Sequence, residues 1–491
     1  MTPRRPAVTL PWPAALLWPT ALLVAVALAT PASARQPNVI LFLMDDMGWR
    51  DVGFMGNDFV ETPAIDRLAR EGMVFARAYA SAPNCAPTRA CLMSGQVPPR
   101  HGIYTVVDPR HAPGSPWQKI LAAESATDLA TEVVTLPEAL RGAGYATAFF
   151  GMWNLGRGRR GPTTPGGQGF GTVVFPESVG FGKDAYHDDA GAYLSDRLTD
   201  ELLAFVERER DGPFFAYYAD HAVHAPFDPP ADLGDHFERK AAARDDGRDD
   251  AAYAATILAS DRNVARVVER LERLGLRDDT ILVFTSDNGG TPRFTPPLRG
   301  GKGELYEGGI RVPLVIAWPG RIAAGTSDVP VATIDLYPTL LALAGVEPPA
   351  DVTLDGASLA GLLEGGAAPA QRPLFWHFPC YVGRAAPSSA VREGDWKLVE
   401  HFEDGGSVEL FDLRADPGEE HDLATREPDR AERLAATLRA WQRDTGAALP
   451  PGPNPAYDPG ADRPRGGGQG GRNGGGQGGG RRRGGQESPR P

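Results

Sequence analysis

Cys85-Ala86-Pro87-Thr88-Arg89 sets a thiol, an imino acid and a guanidinium at alternate positions. Proline has a fixed φ and no N–H, which suits the first turn of a helix. Cys85 then stands at a helix N-terminus, where unpaired N–H groups favour an anion. Arg89 lies one turn on, with a planar fork of donors for sulfate or phosphate oxygens. A second set is made of hard oxygen donors: Asp45-Asp46 and Asp287-Asn288. Adjacent carboxylates repel unless a cation lies between them, and such donors suit Ca2+ or Mg2+ rather than zinc. Lys302 sits among closely spaced glycines that let the backbone approach a ligand, and it offers an ammonium to an anionic group. His224 precedes Ala225-Pro226, with His221 nearby as a polar neighbour.

These residues need elements to hold them. Asn38 to Met44 is a largely apolar run that ends in Asp45-Asp46. Thr280 to Phe284 leads into Asp287-Asn288, Phe214 to Tyr218 into His221 and His224, and Tyr145 to Phe150 into Gly151-Met152-Trp153-Asn154. Short unbroken apolar runs predict parallel strands covered on both faces. All four deliver polar groups at their C-terminal ends, the edge where open α/β sheets form sites. Thr62 to Gly72, with a cap-like Thr and a Pro at its start, reads as a helix, as do Pro137 to Gly142 and Leu194 to Arg210. Strands alternating with helices predict a doubly wound α/β domain.

Cys85-x-Pro87-x-Arg89, followed by a small apolar run ending in Ser94-Gly95, resembles the signature of type I sulfatases of the alkaline phosphatase superfamily. Gly301-Lys302-Gly303 with Glu307-Gly308-Gly309-Ile310-Arg311-Val312-Pro313 resembles that family's second signature. Asp45-Asp46, Asp287-Asn288-Gly289 and His224-Ala225-Pro226 match its other motifs, in the family's order. Downstream, Val391 to Leu398 and Leu410 to Glu419 look like its C-terminal subdomain.

The resemblance implies an α/β fold with a large mixed, mostly parallel sheet flanked by helices and a small C-terminal α+β subdomain. It implies that Cys85 is oxidised to formylglycine by a maturation enzyme, and that the hydrated aldehyde attacks sulfur. One Ca2+, rather than Mg2+, would be held by Asp45, Asp46, Asp287, Asn288 and the residue at 85. Arg89, His224 and Lys302 would complete the catalytic set, and a sulfated small molecule or glycan would be the substrate. Hydrolysis of phosphate or phosphonate esters on the same frame is the alternative chemistry.

The sequence departs from the family at one motif. Gly151-Met152-Trp153-Asn154-Leu155-Gly156 stands where relatives carry Gly-Lys-Trp-His-Leu-Gly. Asn cannot take a proton and Met can do little as a donor. General-base catalysis is typically worth ~10²–10⁴ in rate. A slow enzyme, an enzyme with a relocated base, and a protein that binds sulfated glycan without turnover all fit this substitution.

The 491 residues can bury one large core and a smaller one. Arg4-Arg5, an apolar stretch and Ala32-Ser33-Ala34 read as a secretory signal peptide over residues 1–34, implying a periplasmic or secreted protein. Residues 35–365 are expected to form the catalytic domain, 366–447 the C-terminal subdomain, and 448–491 a disordered Gly/Arg/Pro-rich tail. Three cysteines do not make a disulfide scaffold, and Cys91 and Cys380 are expected to be free. The formal charge is −13. Both ends are basic, so the body between them is more acidic still. A nucleic-acid role is not expected of it, nor is a membrane span in the mature chain.

Overall fold

The computed structural model describes residues 1, 36–106, 114–156, 158–182, 185–244, 250–383 and 385–463. The expected signal peptide and the end of the tail lie outside them. Strand β1 (Asn38–Met44) buries all seven of its residues, as an apolar run does when helices cover both faces of its sheet. β2 (Met73–Phe75), β3 (Ala146–Gly151), β4 (Thr172–Val174), β5 (Phe214–Asp220), β6 (Thr280–Ser286), β7 (Leu314–Ala317) and β8 (Gly325–Ser327) join it. The eight strands are ordered β8-β2-β7-β6-β1-β5-β3-β4. The run from β6 to β4 is parallel, β7 is antiparallel to both neighbours, and β8 is parallel to β2. The sheet is therefore mixed and mostly parallel, as expected.

Register decides where the site lies. Met44 pairs with both Asp220 and Ser286, and Gly151 pairs with Ala219. The next residues, Asp45, His221, Asp287 and Met152, thus leave the sheet along one edge. Helices α1 (Pro63–Glu71), α2 (Cys85–Ser94), α3 (Leu136–Gly142), α4 (Leu194–Glu209), α5 (Ala231–Ala242), α6 (Ala251–Arg273) and α7 (Leu336–Leu343) cover the two faces. Ile40, Phe42 and Met44 enter the core shared with α1, α4, α5 and α6. Val39, Leu41 and Leu43 enter the core shared with α2, α3 and α7. The period-two alternation of a strand accounts for the division.

Thr62 does not cap α1 as its type suggests. Its hydroxyl donates to Asp66 Oδ1 at 3.0 Å and accepts from Gly53 N at 2.8 Å. The helix start is served instead by Asp261 of α6, which accepts from Ala64 N at 3.2 Å and Ile65 N at 2.8 Å. α3 carries a full capping box between Thr135 and Glu138.

Strands β9 (Leu374–Phe378), β10 (Ser388–Glu393), β11 (Trp396–His401) and β12 (Ser407–Asp412) form a separate antiparallel sheet in that order. Helix α8 (Pro428–Thr445) packs Ala431, Leu434, Ala435 and Leu438 onto its Val391, Leu398 and Leu410. The expectation of disorder from residue 448 is corrected by the next segment. Gly452–Pro453 pairs with Ile120–Leu121, and the Asn454 amide donates to Ser115 O at 2.9 Å and Gln118 O at 2.8 Å. A proline-rich, weakly apolar stretch is held there by backbone acceptors, a source of order that composition does not reveal. Among the described residues no helix is long and apolar enough to cross a membrane.

Candidate active site

Cys85 is the first residue of α2, behind an extended Asn84, and every residue of that helix is buried. Thr88 fixes the entry, donating its hydroxyl to Ala82 O at 2.9 Å and accepting from Ala82 N at 3.1 Å. The thiol lies 3.7 Å from Asn84 Oδ1. Burial pushes it well up, and the charges of Asp45, Asp287 and Asp46 add to that against Lys302. A thiol so protonated is a poor nucleophile in its own right. Cys85, Cys91 and Cys380 are all free and buried.

Arg89 lies one turn into α2 and is completely buried. Its Nε and Nη2 donate to Asp287 Oδ2 at 2.9 and 2.7 Å, Nη2 also to Asp45 Oδ2 at 3.0 Å, and Nη1 to Met152 O. The expectation from the sequence is that Arg89 presents its fork to substrate oxygens. The fork is taken up by two carboxylates and a backbone carbonyl at the ends of β1, β6 and β3.

The four expected oxygen ligands meet. Asp46 N donates to Asp287 Oδ1 at 3.3 Å, and Asn288 Nδ2 donates to Asp46 Oδ1 at 2.8 Å. Asp46 adopts φ 66°, a left-handed turn open to Asp and Asn. Gly289 is required because a Cβ there would lie 2.0 Å from Gly308 O. Burial raises the Asp45 carboxyl, yet Arg89 and the hydrogen bond with His221 outweigh it and hold it well below the usual range. Burial and then repulsion from Asp45 push Asp287 up to about 7, against Arg89. Arg89 and Lys302 bring two positive charges to the three carboxylates of Asp45, Asp46 and Asp287.

Lys302 Nζ lies 2.6 Å from Asp46 Oδ1. The lysine is held, where a glycine-flanked loop suggests mobility. Its backbone N donates to Gly290 O at 3.0 Å. His224 Nε2 faces Asp46 Oδ2 at 3.6 Å. Its Nδ1 lies 2.7 Å from Ala225 O, a carbonyl that can only accept, so Nδ1 carries the proton. Burial lowers the His224 pKa, against the raising charges of Asp46 and Asp45.

His221 belongs to the same group, beyond the bystander role its sequence position suggested. Its Nδ1 is 3.2 Å from Asp45 Oδ2. Its ring stacks on His224, centroids 4.7 Å apart, and on Tyr186 at 5.7 Å. Tyr186 OH donates to His224 O at 2.6 Å. Tyr186 went unmarked in the sequence, because it lies in a loop outside every motif.

Met152 and Asn154 follow β3. The Met152 carbonyl meets Arg89, and Asn154 adopts φ 60°. The Met152 backbone therefore meets the charged cluster, and Asn154 follows two residues on.

The donor set fits a divalent cation. Asp45 Oδ1 and Asn288 Oδ1 are buried without a hydrogen-bond partner. Ligand atoms of Asp45, Cys85 and Asp287 lie within 4.8 Å of one another, as do those of Asp45, Asp46 and His224. Leaving such acceptors unmatched in a buried site is costly.

A charged cluster of this kind at the carboxyl edge of a mostly parallel sheet, beside a second antiparallel sheet, is the arrangement that the resemblance to the alkaline phosphatase superfamily implies. The sulfatase family matches residues 37–346, and the C-terminal region of N-sulphoglucosamine sulphohydrolase matches residues 301–443. The chain belongs to the sulfatase family and is a sulfuric ester hydrolase. It is 32% identical to arylsulfatase A of Homo sapiens, over 80% of this chain and 84% of that protein. It is 33% identical to N-acetylgalactosamine-6-sulfatase of Canis lupus familiaris, over 77% of this chain and 74% of that protein. The crystal structure of Ps i-CgsB in complex with k-i-k-neocarrahexaose superposes with a TM-score of 0.69 at 27% identity, covering 85% of this chain and 95% of that one.

Proposed function

We propose that this sulfatase acts on a sulfated small molecule or glycan at the centre formed by Cys85, Arg89, His224 and Lys302. Cys85 is converted to formylglycine by a maturation enzyme, and one Ca2+ is held by Asp45, Asp46, Asp287, Asn288 and the residue at 85. The observation that carries the reading is the pair of orphaned acceptors, Asp45 Oδ1 and Asn288 Oδ1, buried within the cluster. Ca2+ accepts irregular oxygen sets, whereas Mg2+ keeps near-octahedral geometry and several waters.

Formylglycine supplies a hydrated aldehyde as nucleophile, and the bound ion supplies a Lewis acid that favours its ionisation. The remaining work falls to the chain. Lys302, its Nζ set by Asp46, donates to the sulfate oxygens. His224, with Nδ1–H committed to Ala225 O, turns Nε2 toward the same centre, where in its protonated form it donates to the ester oxygen. Arg89 and His221 act on the ligands, Arg89 by bracing Asp45 against Asp287 and His221 by fixing Asp45.

The basic and apolar N-terminal segment supports export to the periplasm or beyond. Relatives named N-acetylgalactosamine-6-sulfatase, and a neighbour in complex with k-i-k-neocarrahexaose, support a sulfated glycan as substrate. The test is a side-by-side assay of matured enzyme on sulfated sugars, an aryl sulfate and an aryl phosphate. Sulfate release that Cys85→Ala abolishes is the expected result. Phosphate release outrunning sulfate release would overturn it.

A further inference from the structure

The segment 299–310 carries Lys302 and touches the motifs around Asp46, Cys85 and Asn288. Lys302 N donates to Gly290 O at 3.0 Å, and Gly303 N donates to Pro83 O at 2.7 Å, two residues ahead of Cys85. Gly289 N, next to Asn288, donates to Gly309 O at 2.9 Å. The backbone of this one segment thus sets the ammonium against the Asp287-Asn288 turn and the start of α2.

The same segment is gripped from the other side by the C-terminal sheet. The buried Lys397 ammonium, on β11, lies 3.1 Å from Glu307 Oε1 and 2.8 Å from Glu419 Oε1. Glu307 N donates to Glu419 Oε2 at 2.6 Å, and Tyr79 OH donates to Glu307 Oε2 at 2.8 Å. At the sheet edge, Glu409 on β12 accepts from Tyr306 OH, and its Oε1 lies 3.2 Å from Arg299 Nη1. The Arg299 guanidinium stacks 3.8 Å over the Tyr306 ring. Between these grips a Cβ on Gly303 would lie 2.3 Å from Val382.

Apolar packing alone can dock the two sheets, through Leu305, Ile310, Trp376 and Phe378 among others. A fully buried lysine between two glutamates adds little net stability, because desolvation offsets the attraction. What it adds is direction: Glu307 is held in one place, and the loop that ends there with it.

We infer that Lys397 and Glu409 are positioning residues for Lys302 and for the Asp287-Asn288 turn, an inference that rests on the sulfate-binding role proposed above for Lys302. The C-terminal sheet thereby takes part in the reaction through the loop it holds.

The experiment is hydrogen exchange on the full matured chain, read with steady-state kinetics and inhibition by inorganic sulfate. Lys397→Met combined with Glu419→Gln removes one charge of each sign at near-constant volume. Exchange over residues 287–290 and 299–310 should quicken while that of residues 38–44 stays unchanged. Sulfate should inhibit more weakly, and kcat/KM should fall about 10-fold to 100-fold, the scale of a displaced catalytic group. Tyr306→Phe removes only the hydroxyl that reaches Glu409 and should move the same readings by a smaller amount. It decides alone if the double variant does not fold. Unchanged protection over 299–310, or equal loss of it over 38–44, would overturn the inference. Lys302→Met separates the two readings. If it leaves kcat/KM and sulfate inhibition intact, the role of Lys302 fails. If it weakens both while the positioning variants do not, the positioning inference alone fails.

Discussion

Lys302 Nζ and Asp46 Oδ1 stand 2.6 Å apart, although 256 positions separate them in the chain. The contact joins the glycine-flanked lysine to the end of the first strand. Burial lowers the pKa of the ammonium, and the charge of Asp46, its hydrogen bond and the neighbouring negative groups together outweigh that and keep it charged.

Lys302→Met should retain the fold, because methionine fills the space of the apolar stem and the side chain keeps 19% of its surface exposed. Losing one donor aimed at developing charge typically costs ~10²–10³ in rate. Steady-state kinetics on a sulfate ester should show a loss of this size in kcat/KM. An unchanged value would remove Lys302 from the catalytic set.

Asp46→Asn tests the metal ligands without disturbing the turn, since Asn also adopts the left-handed conformation found there. Elemental analysis should find about one divalent ion per wild-type chain and markedly less in the variant. A chelator should lower the melting temperature of wild type and leave that of the variant nearly unchanged. Equal metal content in both proteins would refute this ligand set.

Met152→Lys with Asn154→His restores the groups that relatives carry. Residue 154 sits at φ 60°, a conformation His also tolerates. Wild type should turn over aryl sulfates weakly. The double variant should raise the steady rate, by up to ~10²–10⁴ if the missing base is what limits it. A fast wild type and an unimproved variant would place the base elsewhere, with His221 the next residue to replace.

Asp261 gives a pH signature unrelated to chemistry. Burial pushes its carboxyl up to about 7, although Ile65 N and Ala64 N donate to it. A carboxyl raised in the folded state holds its proton there after the unfolded chain has lost it. Its contribution is complete below the unfolded value of about 3.9, and it is lost as pH rises to about 7, by roughly 1.4 kcal/mol per pH unit at most. Asp261→Asn removes that dependence. The melting temperature of wild type minus that of the variant should fall between pH 5 and pH 7, and parallel curves would contradict the assignment.

Much of this was legible in the sequence. The runs ending in Asp45, Asp287 and His221 are short, unbroken and apolar, as covered parallel strands are, and their polar ends meet at one edge. Pro87 placed Cys85 at a helix start. What stayed hidden was set by partners far along the chain. Arg89 looked free to bind an anion because nothing local shows that Asp45, Asp287 and the Met152 carbonyl consume its donors. His221 looked incidental because its value lies in Asp45, 176 residues away. The order of residues 448–463 rests on carbonyls of the 115–118 turn, which composition cannot register.

The central claim is that Cys85 becomes the nucleophile of a sulfatase, and peptide mass spectrometry of protein from its native host tests it most directly. Trypsin should release Ala78 to Arg89 as one peptide, since Arg77 and Arg89 bound it. An aldehyde at residue 85, detected by mass and by capture with a hydrazide reagent, is the expected result. An unmodified thiol throughout that peptide would contradict it.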